Sequence, residues 1–132
     1  MTATPNSTPL PVLNLSDADR LDRLARELMN AVEGEVRFDA HNRMLYATDA
    51  SLYQVEPLGV VIPSSAEDAA RAVRFCAERG VAMLPRGGGT SLAGQCTNRA
   101  VVLDLSANLR DLRDIDPGSM TCEAEPGLTL EE

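Results

Sequence analysis

The sequence predicts an α/β (α+β) fold, made of a βαβ unit and a small mixed sheet flanked by helices. The first observation is the continuous apolar run Gly59–Ile62, which is typical of a strand buried on both faces. The second is the stretch that follows, where apolar residues recur at helical spacing before another apolar run at 81–84. A further apolar run at 101–105, and short strands at 113–116 and 121–124 around an Asp-Pro-Gly turn, complete the prediction.

The residues before the βαβ unit predict a helix and a short strand. The helix is expected to begin at Ser16 and to end at Gly34, and the strand follows at 36–38. The segment 39–57 has neither the helical nor the strand period, so it is expected to wrap the surface. The predicted buried face of the helix consists of Leu21, Leu24, Ala25, Leu28 and Val32.

The βαβ unit contains its own start and stop signals. Pro63 ends the first strand, Ser64 and Glu67 have the spacing of a capping box, and Gly80 closes the helix. A right-handed crossover makes the two strands parallel, so the residues after 84 are expected at the carboxyl end of the sheet, where open α/β sheets bind ligands. The predicted buried stripe of this helix consists of Ala69, Ala70, Val73, Cys76 and Ala77.

The segment PRGGGTSLAGQ, residues 85–95, follows the second strand. Three consecutive glycines allow positive φ, so neighbouring backbone N–H groups can turn toward one anion. An arginine precedes them as a forked donor, and two hydroxyl side chains follow as short donors. The sequence therefore predicts a phosphate-binding loop formed by Arg86, Gly87, Gly88, Gly89, Thr90, Ser91 and Gly94.

This loop differs from the two commonest phosphate-binding motifs. A Walker loop ends with a lysine, and the chain contains no lysine. The dinucleotide fingerprint requires a glycine where Leu92 stands. A different nucleotide-binding fold is therefore expected, and the alternative is a flexible surface loop without a ligand.

The ordered set of elements resembles a known family. LGVVIP at 58–63, the helix AEDAARAVRFCAERG, the glycine loop, the strand VVLDLS and the closing EPGLTLEE follow one another as in flavoproteins with a PCMH-type FAD-binding domain. The resemblance covers about residue 35 to the end, and it is strongest to the glycolate oxidase and D-lactate dehydrogenase branch of these FAD-linked oxidases.

The resemblance implies roles for the loop residues. Arg86 to Ser91 would bind the FAD pyrophosphate, and Gly94 and Gln95 would lie near the flavin. Thr90 stands where several relatives carry a histidine that is bonded covalently to the flavin, and Cys96 is not an obvious replacement. Non-covalent FAD is therefore expected.

The function that the resemblance implies is FAD-dependent oxidation of a 2-hydroxy acid such as D-lactate or glycolate, with hydride transfer to the flavin and a separate electron acceptor. The catalytic residues, and the iron–sulfur cluster that some relatives carry, would lie beyond Glu132. Two alternatives stay open. One is a flavin-dependent reductase of the same fold, like the peptidoglycan-precursor reductases, and the other is a non-catalytic module that binds a nucleotide or a partner.

The domain boundaries are expected as follows. Residues 1–15 are polar and rich in proline, which is typical of a disordered lead-in. Residues 16–132 resemble the N-terminal subdomain of the FAD-binding domain. Thr129 and Glu132 have capping-box spacing, so a helix is expected to start there and the chain to be a C-terminally truncated fragment. Such a fragment is expected to be inactive, to bind FAD weakly or not at all, and to self-associate.

Composition excludes several other classes. The net charge is -8, with 20 acidic residues against 12 arginines, which disfavours nucleic acid as a partner. Three scattered cysteines, without a secretory segment, predict a reducing, cytoplasmic location, and no stretch has membrane-spanning length. One histidine and three cysteines cannot form a usual zinc site or a Ser-His-Asp triad without His41, which is expected to be a solvated loop residue.

Three further residues are candidates for a role. Asp49 and Tyr53 lie in a segment that resembles a recurrent family sequence, and packing or capping is the default expectation for both. Gly127 has two interpretations, close approach to the cofactor or an ordinary turn.

Overall fold

A computed structural model describes residues 18–131, and the predicted lead-in and the Ser16 cap lie outside this range. The described chain contains three helices and six strands. In chain order they are α1 (Ala18–Ala31), β1 (Glu35–Arg37), α2 (Ala40–Leu45), β2 (Gly59–Ile62), α3 (Ala66–Glu78), β3 (Met83–Arg86), β4 (Val101–Asp104), β5 (Leu112–Asp116) and β6 (Thr121–Ala124).

Strands β1 to β4 form one mixed sheet in the order β1-β2-β4-β3. Strands β2 and β3 both pair in parallel with β4, and β1 pairs with β2 in the antiparallel direction. The predicted α/β fold is therefore confirmed. The two strands of the βαβ unit are parallel, but β4 lies between them.

The central strands β2 and β4 are buried along their whole length. On one face, Val61, Val101 and Leu103 pack with residues of α1 and α3 in the main hydrophobic core. On the other face, Val60 and Val102 belong to a second cluster, against which the partly buried Tyr46 and Leu84 pack. Burial on both faces explains why these strands appear in the sequence as continuous apolar runs.

Helix α1 buries the predicted face, with Leu24, Leu28 and Val32 in the main core. The role predicted for Gly34 differs from the one observed. The helix already ends at Ala31, and a Cβ on Gly34 would overlap the backbone carbonyl oxygen of Ile62. Glycine is therefore needed here for the close approach of the chain to β2.

Helix α3 begins one residue later than predicted, and it buries a different face. Its N-cap is Ser65, whose side chain accepts the backbone N–H of Asp68, so the predicted Ser64–Glu67 box is wrong. The buried residues are Asp68, Ala72, Phe75 and Cys76. Of the predicted stripe, Cys76 is buried and Ala69 is partly buried, whereas Ala70, Val73 and Ala77 are exposed.

The carboxylate of Asp68 connects α3 to the turn between α1 and β1. Its two oxygens accept the backbone N–H groups of Glu33, Gly34 and Ser64 at 2.8, 2.8 and 3.0 Å, and Arg71 Nη2 donates at 2.9 Å. Burial raises the pKa of this carboxyl, but the three backbone N–H groups and Arg71 lower it more, to about 2. Asp68 is therefore an ionised, buried anchor.

Strand β3 begins two residues later than the predicted 81–84 and runs to Arg86. Gly80 has φ of 63° and ends the α3 segment as predicted. Pro85 lies inside β3, which is an edge strand of the sheet, where the missing N–H of proline is tolerated. Consequently Arg86 is the last residue of the strand and the glycine loop starts at Gly87.

Helix α2 lies in the segment that was predicted to be irregular. Asp39 is its N-cap and accepts the backbone N–H of Asn42 at 3.0 Å, and none of the six helical residues is buried. His41 is an exposed residue of this helix, so its predicted solvent exposure is confirmed and its predicted loop position is wrong.

Strands β5 and β6 form the predicted hairpin, with a register shift between Arg113 and Asp116. All of their residues are exposed. Residues 130–131 form a turn, and Glu132 lies outside the described range, so the helix start at Thr129 stays a prediction. None of the helices between residues 18 and 131 has the length and apolar character needed to cross a membrane.

Candidate anion-binding site

The glycine loop leaves the sheet at the carboxyl ends of its parallel strands. Arg86, the last residue of β3, pairs in register with Asp104, the last residue of β4. The loop therefore lies at the edge of the sheet where the βαβ topology predicts a ligand.

A row of free backbone donors distinguishes this loop. In the part of the chain that the structure describes, the N–H groups of Gly87, Gly88, Gly89, Thr90 and Ser91 have no protein acceptor. Backbone N–H groups are strong donors that need a partner or solvent. Five successive free donors in a partly exposed loop can therefore bind an anion.

The glycines of the loop serve different purposes. Positive φ occurs at Gly89, 66°, and at Gly94, 78°, but not at Gly87 or Gly88. A Cβ on Gly88 would make only an ordinary contact of 3.6 Å with Thr90, whereas one on Gly89 would lie 2.5 Å from Arg86 Nη2. The left-handed conformation is thus used at single positions rather than along the whole glycine triplet.

The side chain of Arg86 turns back onto its own loop. Its Nη1 donates to the backbone carbonyl of Cys96 at 3.3 Å. Its Cζ lies 5.4 Å from the centre of the Tyr46 ring, within the range of a cation–π contact. Arg86 therefore connects the two ends of the loop with the chain segment after α2.

Tyr46 is in turn held by β4. Its hydroxyl donates to Asp104 Oδ2 at 2.6 Å, while Asp104 Oδ1 accepts the backbone N–H and the hydroxyl of Ser106 at 2.8 and 2.6 Å. Burial and the bond to Asp104 raise the pKa of Tyr46 to about 12, so the phenol is protonated at neutral pH.

Asp49 has the capping role that was its default expectation. Its Oδ1 accepts the N–H of Ser51 at 2.9 Å, and its Oδ2 accepts the N–H of Cys96 at 3.2 Å. The hydrogen bond with Ser51 and the backbone N–H donors lower the pKa of Asp49, so this carboxylate is charged at neutral pH. Asp49 thus holds the end of the glycine loop at Cys96, whose carbonyl accepts from Arg86.

The later loop residues surround the turn at Gly94. A Cβ there would lie 2.8 Å from the Tyr53 ring, so this exposed ring lies beside the turn. Gln95 accepts the N–H of Ala93 at 3.1 Å through its side chain. The Cys96 thiol lies 3.0 Å from the Ser91 hydroxyl, and the Thr90 side chain is exposed.

Gly127 packs against the chain that follows β4. Its N–H donates to the carbonyl of Leu109 at 2.8 Å, and a Cβ would overlap the carbonyl oxygen of Leu105. Glycine is therefore required here by backbone packing. Among the residues from 18 to 131, no three histidine, cysteine or acidic side chains are grouped so that they could hold a metal ion.

Sequence reasoning missed Tyr46 and Asp104 as parts of this site. Asp104 ends a fully buried strand, and a carboxylate at that position is a recognisable signal for the carboxyl edge of a parallel sheet. Tyr46 gave no comparable signal, because it reaches the loop only through tertiary packing.

The fold and the loop define an α/β domain that is suited to bind a phosphate-containing ligand, and comparisons specify its family. The profile described as FAD binding domain matches residues 57–132, more than half of the chain. The chain therefore belongs to the FAD binding domain family, as the sequence resemblance predicted.

Two curated relatives are similar over most of this chain. The D-2-hydroxyglutarate dehydrogenase of Escherichia coli (strain K12) is 31% identical over 102 residues, which cover 75% of this chain and 10% of that protein. The glycolate oxidase subunit GlcD of Bacillus subtilis (strain 168) is 31% identical over 107 residues, which cover 78% and 23%. The chain thus spans between a tenth and a quarter of the lengths of these relatives.

Solved structures show the same fold. p-Cresol methylhydroxylase with substrate bound superposes with a TM-score of 0.71 at 17% identity, covering 86% of this chain and 23% of that one. Alkyldihydroxyacetonephosphate synthase gives 0.67 at 22% identity, covering 81% and 24%. At these identities the likeness describes the fold alone.

The residues present fit a pyrophosphate group. Five free N–H donors match the many acceptor oxygens of a diphosphate, and both oxygens of the Asp49 carboxylate are already engaged by the N–H groups of Ser51 and Cys96. Gly88 has no side chain, which permits a phosphate to approach the backbone closely.

Proposed function

We propose that this chain binds FAD non-covalently through its glycine loop and serves as the FAD-binding part of a flavin-dependent oxidoreductase. The observation that carries the proposal is the row of free N–H groups from Gly87 to Ser91 at the carboxyl edge of the parallel strands. The family membership supports FAD as the ligand whose pyrophosphate these groups bind.

The individual roles follow from the chemistry of each residue. The N–H groups of the glycines and the hydroxyls of Thr90 and Ser91 donate to the phosphate oxygens, and the Arg86 guanidinium supplies positive charge beside them. Gly94 and Gln95 lie on the flavin side. Thr90 offers no ring nitrogen for a covalent bond to the flavin, and the Cys96 thiol lies against Ser91 inside the loop, so the binding is non-covalent.

The reaction proposed is oxidation of a 2-hydroxy acid, for which the names of the two curated relatives give the support. When bound, FAD supplies the ability to accept a hydride equivalent, and a separate acceptor removes the electrons. The groups that bind the hydroxy acid and move its proton are proposed to lie beyond Glu132, as is any iron–sulfur cluster. A cytoplasmic location agrees with the three free cysteines.

Self-association of the isolated chain is also proposed. Leu92 in the loop and Leu52 in the segment behind it are almost fully exposed, at 81% and 104%. Large apolar side chains that are exposed to solvent favour association between copies. A monomer by light scattering at high protein concentration would contradict this part of the proposal.

The test of cofactor binding is an FAD titration of the chain, followed by quenching of flavin fluorescence. Gly89→Ala places a Cβ against Arg86 at a left-handed position, whereas the matched control Gly118→Ala lies in the exposed turn between β5 and β6, outside the glycine loop. We expect Gly89→Ala to weaken FAD binding about tenfold, because the loop must distort by an amount that costs about 1–3 kcal/mol. Equal affinity of both variants would contradict the proposed site.

The test of the reaction is the visible spectrum of the FAD-loaded full protein under anaerobic conditions. D-lactate, glycolate and D-2-hydroxyglutarate are added in turn, and bleaching of the flavin bands by one of them is the expected result. Bleaching by a reduced nicotinamide cofactor alone would instead indicate a reductase. Failure to bind any flavin would indicate a non-catalytic binding module.

A further inference from the structure

Arg86 makes contacts that a simple phosphate-binding side chain does not need. Its Nη1 donates to the carbonyl of Cys96, ten residues further along the loop, and its guanidinium lies over the Tyr46 ring with Cζ 5.4 Å from the ring centre. Its Nη2 and Cζ lie so near Gly89 that a Cβ there would stand 2.5 and 2.9 Å from them. The side chain therefore occupies the space against the backbone of its own loop.

We propose that Arg86 is a positioning residue, which fixes the shape of the glycine loop before a nucleotide arrives. It does so by joining Cys96 to the end of β3 and by supporting the left-handed turn at Gly89. The importance of this role for FAD rests on the proposed function, but the role itself concerns the nucleotide-free chain.

The segment behind the loop supplies the rest of the support. Asp49 accepts the N–H of Cys96 at 3.2 Å, so both polar groups of the Cys96 backbone are engaged. The N–H of Ala50 donates to the carbonyl of Gly89 at 3.0 Å. The loop is thus held at its start, at Gly89 and at Cys96, while the N–H groups from Gly87 to Ser91 stay free. A site that is ordered in advance loses less conformational freedom on binding.

Lysine cannot replace arginine in this arrangement. The planar guanidinium can donate along its edge while it lies over an aromatic ring, whereas an ammonium group is a compact point charge. If Arg86 acted only through its charge, Arg86→Lys would retain FAD affinity. If Arg86 positions the loop, Arg86→Lys should lose FAD affinity almost as much as Arg86→Gln, because both variants release Cys96 and Gly89.

The experiment is amide hydrogen exchange of the nucleotide-free chain, followed by NMR. The informative amides are those of Ala50 and Cys96, which bond within the braced region. We expect them to exchange about tenfold faster in Arg86→Lys and Arg86→Gln, since about 1.4 kcal/mol of local stability is lost. Amides of the buried strand β4 should be unchanged. The matched control is Arg74→Lys, on the exposed side of α3, for which no change is expected.

A second variant, Gly89→Ala, provides the test if the Arg86 variants do not fold. Gly89→Ala pushes against the guanidinium from the loop side and should accelerate the same two amides. Exchange rates of the Ala50 and Cys96 amides within about twofold of the wild type in all of these variants would overturn the positioning role of Arg86. Because no nucleotide is present, this result is separate from the FAD titration, which alone decides the proposed function.

Discussion

Asp68 provides a quantitative test of the fold, because its buried carboxylate depends on the hydrogen bonds that only the folded chain supplies. It is 0% exposed and accepts three backbone N–H groups together with Arg71. Its pKa is lowered from 3.8 to about 2. At about 1.36 kcal/mol per pH unit, this difference corresponds to about 2.4 kcal/mol of stability at neutral pH.

The sign of this contribution fixes its pH dependence. The pKa in the folded chain lies below the unfolded value, so the stabilisation is complete above about pH 4 and is lost as the pH falls toward about 2. Asp68→Asn removes the charge and directs an amide NH₂ at groups that are themselves donors. We expect the free energy of unfolding to fall by about 3 kcal/mol at pH 7.

The assay is urea unfolding followed by circular dichroism at pH 7 and at pH 3. The difference in the free energy of unfolding between the wild type and Asp68→Asn should be about 1 kcal/mol smaller at pH 3 than at pH 7. At pH 3 Asp68 is largely protonated in the unfolded chain but mostly ionised in the folded chain. Glu67→Gln is the matched control, since Glu67 is an exposed acid in the same helical turn, and it should cost about 0.5 kcal/mol or less. A difference below about 1 kcal/mol at pH 7, or one that does not change with pH, would contradict an ionised Asp68 that stabilises the fold.

Three other predictions use the same geometry. Gly34→Ala should lower the free energy of unfolding in urea by about 2 kcal/mol or more, because its Cβ overlaps a backbone carbonyl of β2. Gly118→Ala, at an exposed turn with a 3.2 Å side-chain contact, should change this free energy little. In a spectroscopic titration of the folded chain, the phenolate of Tyr46 should form near pH 12, and Tyr46→Phe should abolish that step; a single step near pH 10 in the wild type would contradict its burial. Burial raises the pKa of the Cys76 thiol to about 11, so a thiol reagent at pH 8 should modify exposed Cys122 rapidly and Cys76 only after unfolding; rapid labelling of Cys76 in the native chain would be inconsistent with the packed core.

The sequence predicted those elements whose burial follows a clear local pattern. Strand β2 has the predicted bounds because it is apolar at every position and ends at a proline. The glycine loop was recognised because its composition is unusual and it follows a strand. The hairpin was found from its Asp-Pro-Gly turn, which needs no tertiary contact to form.

The errors lie where tertiary contacts choose between equivalent local patterns. Ser64 and Ser65 each precede an acidic residue by three positions, so either pair fits a helix cap. The choice depends on Asp68, which finds its donors in the distant turn at Glu33 and Gly34. With Asp68 fixed in this turn, α3 faces the core with Phe75 and leaves Val73 exposed.

The supporting part of the site was invisible for a similar reason. Helix α2 buries none of its residues, so no periodic pattern marks it, although Asp39 as a cap could have indicated it. Tyr46 and Asp49 reach the glycine loop across the fold, and their bonds to Asp104 and Cys96 span 58 and 47 residues. Sequence reasoning identifies the loop that would contact a ligand more readily than the residues that hold it.

The free N–H groups of the glycine loop are proposed to bind the pyrophosphate of FAD. The most direct measurement is a two-dimensional amide NMR titration of the chain with FAD, with ADP as a smaller diphosphate. If these groups bind the pyrophosphate, both ligands will shift the resonances of Gly87 to Ser91 and leave those of β5 unchanged. Shifts confined to other regions, or none at millimolar FAD, would contradict it.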